Sequence, residues 1–256
     1  MFVFIVPLRS PETCSNWEEV SSLCNSTLKS IMQQDSNNYR ILLVCNLPPL
    51  DFTPNERIIL VQESFSIPNS WEGGIGDIYS KVKRGMVEVR KRELIQPEES
   101  TFVMRVDADD LVSNRLVSFA EKHPTSDGWY FLIGYIYEIG KQYLFLRPRF
   151  TTVSGTSNIF KCNYLDFPES MDTPSNEWLE PVWQHLSVNK LLKPKGKKLN
   201  PLPFPGAVYR ISPQNMSSTH VGDERFSTFK SVLWKIFFKR KVTPALIQEF
   251  TLPEFH

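Results

Sequence analysis

The sequence predicts an α/β fold with a Rossmann-like, mostly parallel central sheet flanked by helices and a smaller antiparallel portion in the C-terminal half. Strand-like and helix-like segments alternate through the first hundred residues, which is typical of a parallel sheet. The strand-like segments are continuous apolar runs, as expected where both faces of a strand are covered. The second half instead contains two adjacent strand-like segments that can form a hairpin.

The first half contains four apolar runs with the length of buried strands. They are "FVFIV" (2–6), "YRILLVCN" (39–46), "RIILV" (57–61) and "TFVMRV" (101–106). Apolar residues recur at helical spacing between the first two runs. A second helix is expected after "GGIG" (73–76), because four apolar residues then share one stripe: Ile78, Val82, Met86 and Val89.

The second half favours antiparallel strands and further helices. "GWYFLIGYIYEIG" and "KQYLFLRPRF" are expected to pair around Gly140 and Lys141, and "SGTSNIFK" (154–161) is a loop of small residues that enters a strand. Helices are predicted over 111–123, 175–192 and 226–242. We expect a single domain over 1–256, made of a nucleotide-binding half (1–125), an acceptor half (126–222) and a basic C-terminal helix and tail (223–256).

Composition limits the possible classes of function and the cellular compartment in which the protein is expected. The formal net charge of +1 gives no global basis for nucleic-acid binding. Four cysteines without C-x-x-C spacing, in a chain without a signal-peptide pattern, favour free thiols and a cytoplasmic location. The basic, apolar-striped segment 226–242 suits a helix lying on an anionic membrane, peripheral at its inner face. It equally suits a terminal helix packed on the core with a basic outer face.

The feature that most needs a function is "RVDADDLVS" (105–113), which places three carboxylates where a buried strand ends. Ligands of parallel α/β sheets bind at the carboxyl ends of strands. Clustered carboxylates are unfavourable unless a cation, a cap or a substrate compensates their charge, and Arg105 can contribute part of that charge. Asp107 and Asp109 could share Mn²⁺ or Mg²⁺, which could then bridge the phosphates of a nucleotide. Alternatively, Asp109 or Asp110 only caps the next helix, which accounts for one carboxylate. With Asp107 and Asp109 assigned to the site, we expect Asp110 to be the cap.

The order of these features resembles glycosyltransferase family 2. The resemblance rests on a first strand ending in Pro7, a second strand near residue 45, a helix containing "KVKRG", and an apolar strand followed by R-x-D-A-D-D; it covers roughly residues 1–125. It implies a fold of the GT-A type and inverting transfer of a sugar from a nucleotide-sugar donor, UDP- or another, to a hydroxyl of a saccharide or lipid-linked acceptor. Polysaccharide biosynthesis would be the setting.

The resemblance also implies roles for individual residues. Pro7, Leu8 and Arg9 match the loop beside the base, and Asn46 stands where many members have an Asp that contacts the base. Lys83 and Arg84 match the helix segment that faces the nucleotide. Asp107 matches the ribose contact, with Arg105 beside it, and Asp109 matches the metal ligand.

Two parts of the site are less complete than in that family. "YRISPQNMSSTH" is similar to a late segment R-x-H-x-x-N-x-S whose His can complete the metal site, but Ser212 occupies the His position and His220 follows eight residues later. His220 is therefore a candidate ligand beside Asp107 and Asp109. For the base that deprotonates the acceptor, the candidates are Glu180, which shares its predicted helix with His185, and Asp172 or Glu177.

Two other functions remain open on the sequence. One is a phosphatase of the haloacid dehalogenase type, in which Asp107 would be the nucleophile. The other is a domain similar to the GT-A type that has lost catalysis and binds a sugar or a partner, because Ser212 replaces the His and no adjacent Glu-Asp pair is present.

Overall fold

A computed structural model describes residues 1–174, 188–212 and 237–253, apart from the side chains of Trp71 and Leu191. Its α-helices are α1 (Trp17–Met32), α2 (Trp71–Lys91), α3 (Leu116–Glu121), α4 (Val188–Leu192) and α5 (Pro244–Phe250). Its strands are β1 (Phe2–Pro7), β2 (Tyr39–Cys45), β3 (Ile58–Gln62), β4 (Ser100–Arg105), β5 (Leu111–Val112), β6 (Gly128–Tyr130), β7 (Ile133–Glu138), β8 (Tyr143–Pro148), β9 (Asn158–Asn163), β10 (Asn200–Pro201), β11 (Ala207–Ile211) and β12 (Lys239–Lys241).

The main sheet has the strand order β10-β6-β9-β4-β1-β2-β3. β1 is parallel to both of its neighbours, β2 and β4, and β2 is parallel to β3. β9 runs antiparallel between β4 and β6. The predicted α/β fold class with a mostly parallel central sheet is thereby confirmed.

Both faces of this sheet are covered by helices, which explains the continuous apolar runs. Every residue of β1 is buried. Phe4 packs in a cluster that contains Leu28 of α1. Its neighbour Ile5 points to the other face, in a cluster that contains Val82 and Met86 of α2. The ends of β1, β2 and β4 therefore meet at one edge between two helical layers.

The second sheet has the order β12-β8-β7-β11-β5. Its β7–β8 hairpin confirms the predicted antiparallel pair, with Ile136 opposite Phe145. The run "GWYFLIGYIYEIG" is not one strand, however. Gly128–Tyr130 pairs with β9 in the main sheet, and the chain crosses to the second sheet at Phe131, whose N–H donates to the carbonyl of Ser157 (2.8 Å).

The predicted helix over 111–123 is wrong in its first half. Leu111 and Val112 form β5, antiparallel to Val208 and Ala207 of β11, and the helix begins only at Leu116. Pairing with a strand almost a hundred residues later along the chain decides the conformation here, so the local apolar pattern could not reveal it.

The predicted helix over 226–242 is wrong at its C-terminal end. Lys239–Lys241 forms the strand β12, antiparallel to β8, with Lys239 opposite Phe145. Residues 226–236 lie outside the described ranges. Of the predicted helix over 175–192, the described part, Val188–Leu192, is helical and the remainder lies outside those ranges.

All four cysteines lie within the described ranges, and their thiols are free. Within the same ranges, no helix combines the length and the apolar character needed to cross a bilayer.

Two glycines of α2 provide a test of how tightly this helix packs on the sheet. A Cβ at Gly85 would lie 2.7 Å from Cγ2 of the fully buried Ile5, whereas a Cβ at Gly76 would meet nothing within 4 Å. We expect Gly85→Ala to lower the free energy of unfolding by about 1–3 kcal/mol through overpacking. Gly76→Ala, the matched control, should raise it by about 0.5–1 kcal/mol through helix propensity. Urea unfolding of both variants measures the two changes, and equal effects would contradict the close packing of α2.

Candidate functional site

The acidic loop, residues 107–110, begins where β4 leaves the sheet. The last contact with β1 is the hydrogen bond from the N–H of Val106 to the carbonyl of Ile5 (2.9 Å). The N–H of Asp110 then donates to the carbonyl of Asp107 (3.0 Å), which closes a turn. Asp107 and Asp109 are partly exposed, while Asp110 is completely buried. The loop therefore presents two of its three carboxylates at the carboxyl end of the parallel strands.

Asp107 is held by the arginine two residues before it. Oδ1 of Asp107 accepts from Nε of Arg105 (2.8 Å) and lies 2.6 Å from its Nη2. The N–H of Asp107 donates to Oγ1 of Thr156 (2.8 Å). The backbone and the side chain of Asp107 are thus both held in place. Arg105 lies where it can offset the charge of Asp107, as the sequence led us to expect.

A second loop, Ser154–Thr156, closes over this pair. A Cβ at Gly155 would lie 2.0 Å from Nη2 of Arg105 and 2.8 Å from Oδ2 of Asp107, so no larger residue fits. Oγ of Ser154 donates to Oδ2 of Asp110 (2.6 Å). The loop of small residues therefore packs directly on the acidic loop.

Asp110 does not cap a helix, so the role predicted for it from the sequence is wrong. The N-cap position of α3 is Arg115, and no side chain caps it. Asp109 is not its cap either. Asp110 instead lies buried beneath the acidic loop, where its Oδ1 has no hydrogen-bond partner.

The surroundings of the acidic loop disfavour the ionised forms of two of its carboxyl groups. Burial, and then the charge of Asp107, raise the pKa of Asp109 to about 6. Burial and the charges of Asp109 and Asp107 raise the pKa of Asp110 well above its usual range. A cation placed at the loop would favour the ionised forms of these carboxyl groups.

Arg210 binds the backbone of the acidic loop. This buried residue of β11 donates from Nε to the carbonyl of Asp109 (2.5 Å) and from Nη2 to the carbonyl of Leu23 in α1 (2.7 Å). Its Nη2 also donates to Oγ1 of Thr27 (2.9 Å), which itself donates to the carbonyl of Ala108 (2.9 Å). Arg210 therefore fixes the backbone of the acidic loop against α1, and its charge opposes the rise in the pKa of Asp109.

A buried ion pair lies near the end of β2. Nζ of Lys81 is 2.7 Å from Oδ2 of Asp77, and the side chains are 1% and 7% exposed. Lys81 also lies over the ring of Phe65, 5.3 Å from its centroid, and the carbonyl of Phe65 accepts from Nδ2 of Asn46 (2.8 Å). Burial lowers the pKa of Lys81, which Asp77 partly opposes. Oδ1 of Asn46 and Oδ1 of Asp77 are buried without hydrogen-bond partners.

Lys83 and Arg84, the two basic residues of α2 predicted to face a nucleotide, are both partly buried. Arg84 forms ion pairs with Glu63 and, at 2.7 Å from Nη1 to Oε1, with Glu88. It lines a cavity of about 380 Å³ between β3 and α2, which includes no residue of the acidic loop. The described contacts thus connect Lys81, rather than Arg84, with Asn46.

The loop after β1 contributes one further cation. Leu8 is buried and its N–H donates to the carbonyl of Val44 (2.9 Å), which extends the pairing beyond Pro7. Nε of Arg9 donates to Oγ1 of Thr13 (3.1 Å). The charge of Arg9 lowers the pKa of both Asp109 and Lys81, so it acts on the acidic loop and on the buried ion pair alike.

Several predicted site residues lie outside the described ranges: Glu177, Glu180, His185 and His220. Asp172 is described and lies exposed in the turn around 170–173. In the parts of the chain that the structure covers, no three His, Cys, Asp or Glu side chains are grouped so as to hold a metal ion. Any metal held there would rest on Asp107 and Asp109, with other ligands from elsewhere.

Sequence reasoning missed Lys81, Asp77 and the contacts of Ser154–Thr156. Asp77 and Lys81 are four residues apart on a helix, a spacing that is visible in the sequence but typical of exposed ion pairs. Only the tertiary structure shows that this pair is buried. The small residues of 154–161 were recognised as a loop, yet their partners are some 45 residues earlier in the chain.

Neither a protein-family model nor a curated protein sequence matches the chain. Among solved structures, S. aureus TarS matches over 83% of this chain with 13% identity and a TM-score of 0.44, and the chain spans 37% of that protein. A structure of TarS residues 1–349 matches over 82% with a TM-score of 0.43, 13% identity and 60% of its length spanned. Francisella tularensis 2-C-methyl-D-erythritol 4-phosphate cytidylyltransferase matches over 92% of this chain and 98% of its own, with 14% identity and a TM-score of 0.38.

The raised pKa of Asp109 predicts a pH dependence of stability. Because its pKa of about 6 exceeds the unfolded value of about 3.9, the folded state binds the proton more tightly. The contribution of Asp109 to the free energy of unfolding should therefore fall by about 1–3 kcal/mol as pH rises from 4 to 6.5. Asp109→Asn removes this titration, so the variant should gain stability relative to the wild type over that window. Urea unfolding at several pH values with a chelator present measures the difference, and a constant difference would contradict the assignment.

Proposed function

We propose that the chain is an inverting glycosyltransferase that moves a sugar from a nucleotide-sugar donor to an acceptor hydroxyl with the help of a divalent metal. The observation that carries the proposal is the acidic loop. Asp107 and Asp109 lie at the carboxyl end of a parallel strand, and buried arginines on two sides hold them in place. Such a charged loop, at the edge where ligands of parallel sheets bind, suits a diphosphate and its metal.

The residues present fit Mn²⁺ or Mg²⁺. Burial, and after it the like charge of Asp107, raise the pKa of Asp109, and a bound cation would oppose both effects. Mg²⁺ commonly uses one or two protein carboxylates, with substrate phosphates and water as its other ligands. Asp109 would be the main protein ligand, with Asp107 and His220 as further candidates. When bound, the metal would neutralise charge on the diphosphate leaving group.

The nucleoside would lie between the acidic loop and the buried ion pair. Asp107 can reach a ribose hydroxyl from a fixed position, because Arg105 and Thr156 hold it. The base would lie towards Asn46 and Lys81, whose surroundings contain two buried acceptor oxygens without donors. The N–H groups of a base could satisfy such oxygens, whose unpaired burial is costly. Arg9 would offset phosphate charge.

The acceptor hydroxyl needs a general base. We retain Glu180 for this role, with Asp172 and Glu177 as alternatives and His185 as a neighbour of Glu180 along the chain. A carboxylate there would take the hydroxyl proton as the oxygen attacks the sugar carbon and the nucleoside diphosphate departs. Saccharide and lipid-linked alcohols are the acceptor classes that we propose.

The contacts of Asp107 bear on the phosphatase alternative. A nucleophilic carboxylate must approach phosphorus freely, whereas Oδ1 of Asp107 is bound by Arg105 and the backbone of Gly155 packs against Oδ2. Trapping of a phosphoaspartate on Asp107 would favour the phosphatase. Donor turnover by the wild-type chain would exclude a domain that only binds sugar.

Metal-dependent nucleotide binding is the first test. We expect calorimetry to detect binding of UDP or another nucleoside diphosphate only with Mn²⁺ or Mg²⁺ present, because the carboxylates alone repel the phosphates. Asp109→Asn should weaken this binding at least about tenfold, as expected for loss of a metal ligand. Glu98→Gln, at an exposed position away from the site, is the matched control and should bind as the wild type does. Metal-independent binding, or an Asp109→Asn variant that binds normally, would exclude the proposed site.

A second test separates Lys81 from Lys83 on the same helix. Lys81→Met should weaken nucleotide binding by about tenfold, the range expected for a lost charged hydrogen bond, while Lys83→Met should have a smaller effect. Since Lys81→Met leaves Asp77 unpaired, Lys81→Met combined with Asp77→Asn provides a variant without a buried charge. Titration of each folded variant with the nucleotide measures the effect. The reverse order of effects would place the nucleotide against Lys83 instead.

A further inference from the structure

One edge of the second sheet is strongly basic. Its outermost strand, β12, consists of Lys239, Arg240 and Lys241, and all three side chains are exposed. One side of β12 pairs with β8, and no strand of the described residues pairs with its other side. The chain as a whole has a formal charge of only +1, so this positive charge is local.

Exposed apolar side chains flank the basic strand. Phe237, two residues before it, is 70% exposed. At the other end, the N–H of Val242 donates to the carbonyl of Gln142 (3.2 Å), which brings the β7–β8 turn alongside. This turn carries Ile139, 45% exposed, and Lys141, also exposed. We call these residues the basic edge: Ile139, Lys141, Phe237, Lys239, Arg240 and Lys241.

Protection of a sheet edge explains only part of this composition. Lysines on an edge strand prevent pairing with other chains, which accounts for Lys239 and Lys241. It does not account for a phenylalanine and an isoleucine exposed at the two ends of the same strand. Lys239 is moreover held in place, because its Nζ lies 4.0 Å from the centroid of the Tyr143 ring. The basic edge is therefore a fixed surface that combines positive charge with apolar groups.

We propose that the basic edge docks on an anionic lipid surface. Basic side chains are attracted by anionic headgroups, and apolar side chains beside them insert at the boundary between headgroups and acyl chains. A lipid surface supplies both interactions along a straight sheet edge, whereas the phosphates of a nucleic acid would leave Phe237 and Ile139 in water. Four of these residues belong to the segment 226–242, where the sequence predicted a membrane-bound helix, but three of them form an edge strand instead. The proposal stands independently of the transferase activity.

Vesicle binding tests the basic edge in the full chain. Sedimentation with vesicles of phosphatidylcholine alone should detect little binding, and an equimolar mixture with phosphatidylglycerol should bind the protein. Each basic residue near an anionic membrane contributes roughly fivefold in affinity, so the combined Lys239→Gln, Arg240→Gln and Lys241→Gln variant should lose at least about tenfold. Phe237→Ser should also weaken binding, while leaving the charge unchanged.

The matched control removes the same charge elsewhere. Lys193, Lys195 and Lys198 are exposed in another segment, and the combined change of these three to Gln should leave vesicle binding within about twofold of the wild type if the basic edge is the site. Equal losses in the two triple variants, or no wild-type binding to anionic vesicles, would overturn the proposal. The proposal would also be overturned if Phe237→Ser bound vesicles as the wild type does and the wild type bound a random single-stranded oligonucleotide tightly. That pair of results would assign the edge to nucleic acid.

Discussion

The position of the acidic loop depends on the hydrogen bonds that the buried guanidinium of Arg210 donates. It connects three separate parts of the chain, because it lies on β11 and donates to the carbonyl of Asp109 and to that of Leu23 in α1. Its contact with Thr27 adds a second connection from α1 to the loop. A buried charge of this kind is favourable only when hydrogen bonds and opposite charges surround it, and the carbonyls and carboxylates of this region provide both.

The same compensation recurs along the carboxyl edge of the main sheet. Arg105 pairs with Asp107, and Lys81 pairs with Asp77, so each of these two carboxylates has a cation beside it in a region with little exposure to solvent. Compensation is incomplete, since buried oxygens without partners remain on Asn46, Asp77 and Asp110. The nucleotide that we propose, with phosphates at one end and N–H groups at the other, would complement both the fixed charges and the unpaired acceptors.

The errors of the sequence-based prediction share one cause. The segment after the acidic loop was expected to be helical, but Leu111 and Val112 pair with β11. The run from Gly128 was expected to be one strand, but it is divided between two sheets. In each case a short apolar segment fits both helix and strand, or more than one sheet, and contacts distant along the chain decide between them. Longer continuous apolar runs, such as β1 and β2, fit only a buried strand and were predicted correctly.

The sequence by itself determined the parallel strands, the amphipathic α2 and the position of three carboxylates at the end of β4, because these depend on local periodicity. It also indicated that Arg105 would offset the charge of Asp107. Only the tertiary structure decided that Asp110 is buried rather than a cap, that Lys81 is buried rather than exposed, and that Gly155 lies against Arg105. These roles depend on the burial of polar side chains and on contacts between distant segments, which the spacing of apolar residues does not reveal.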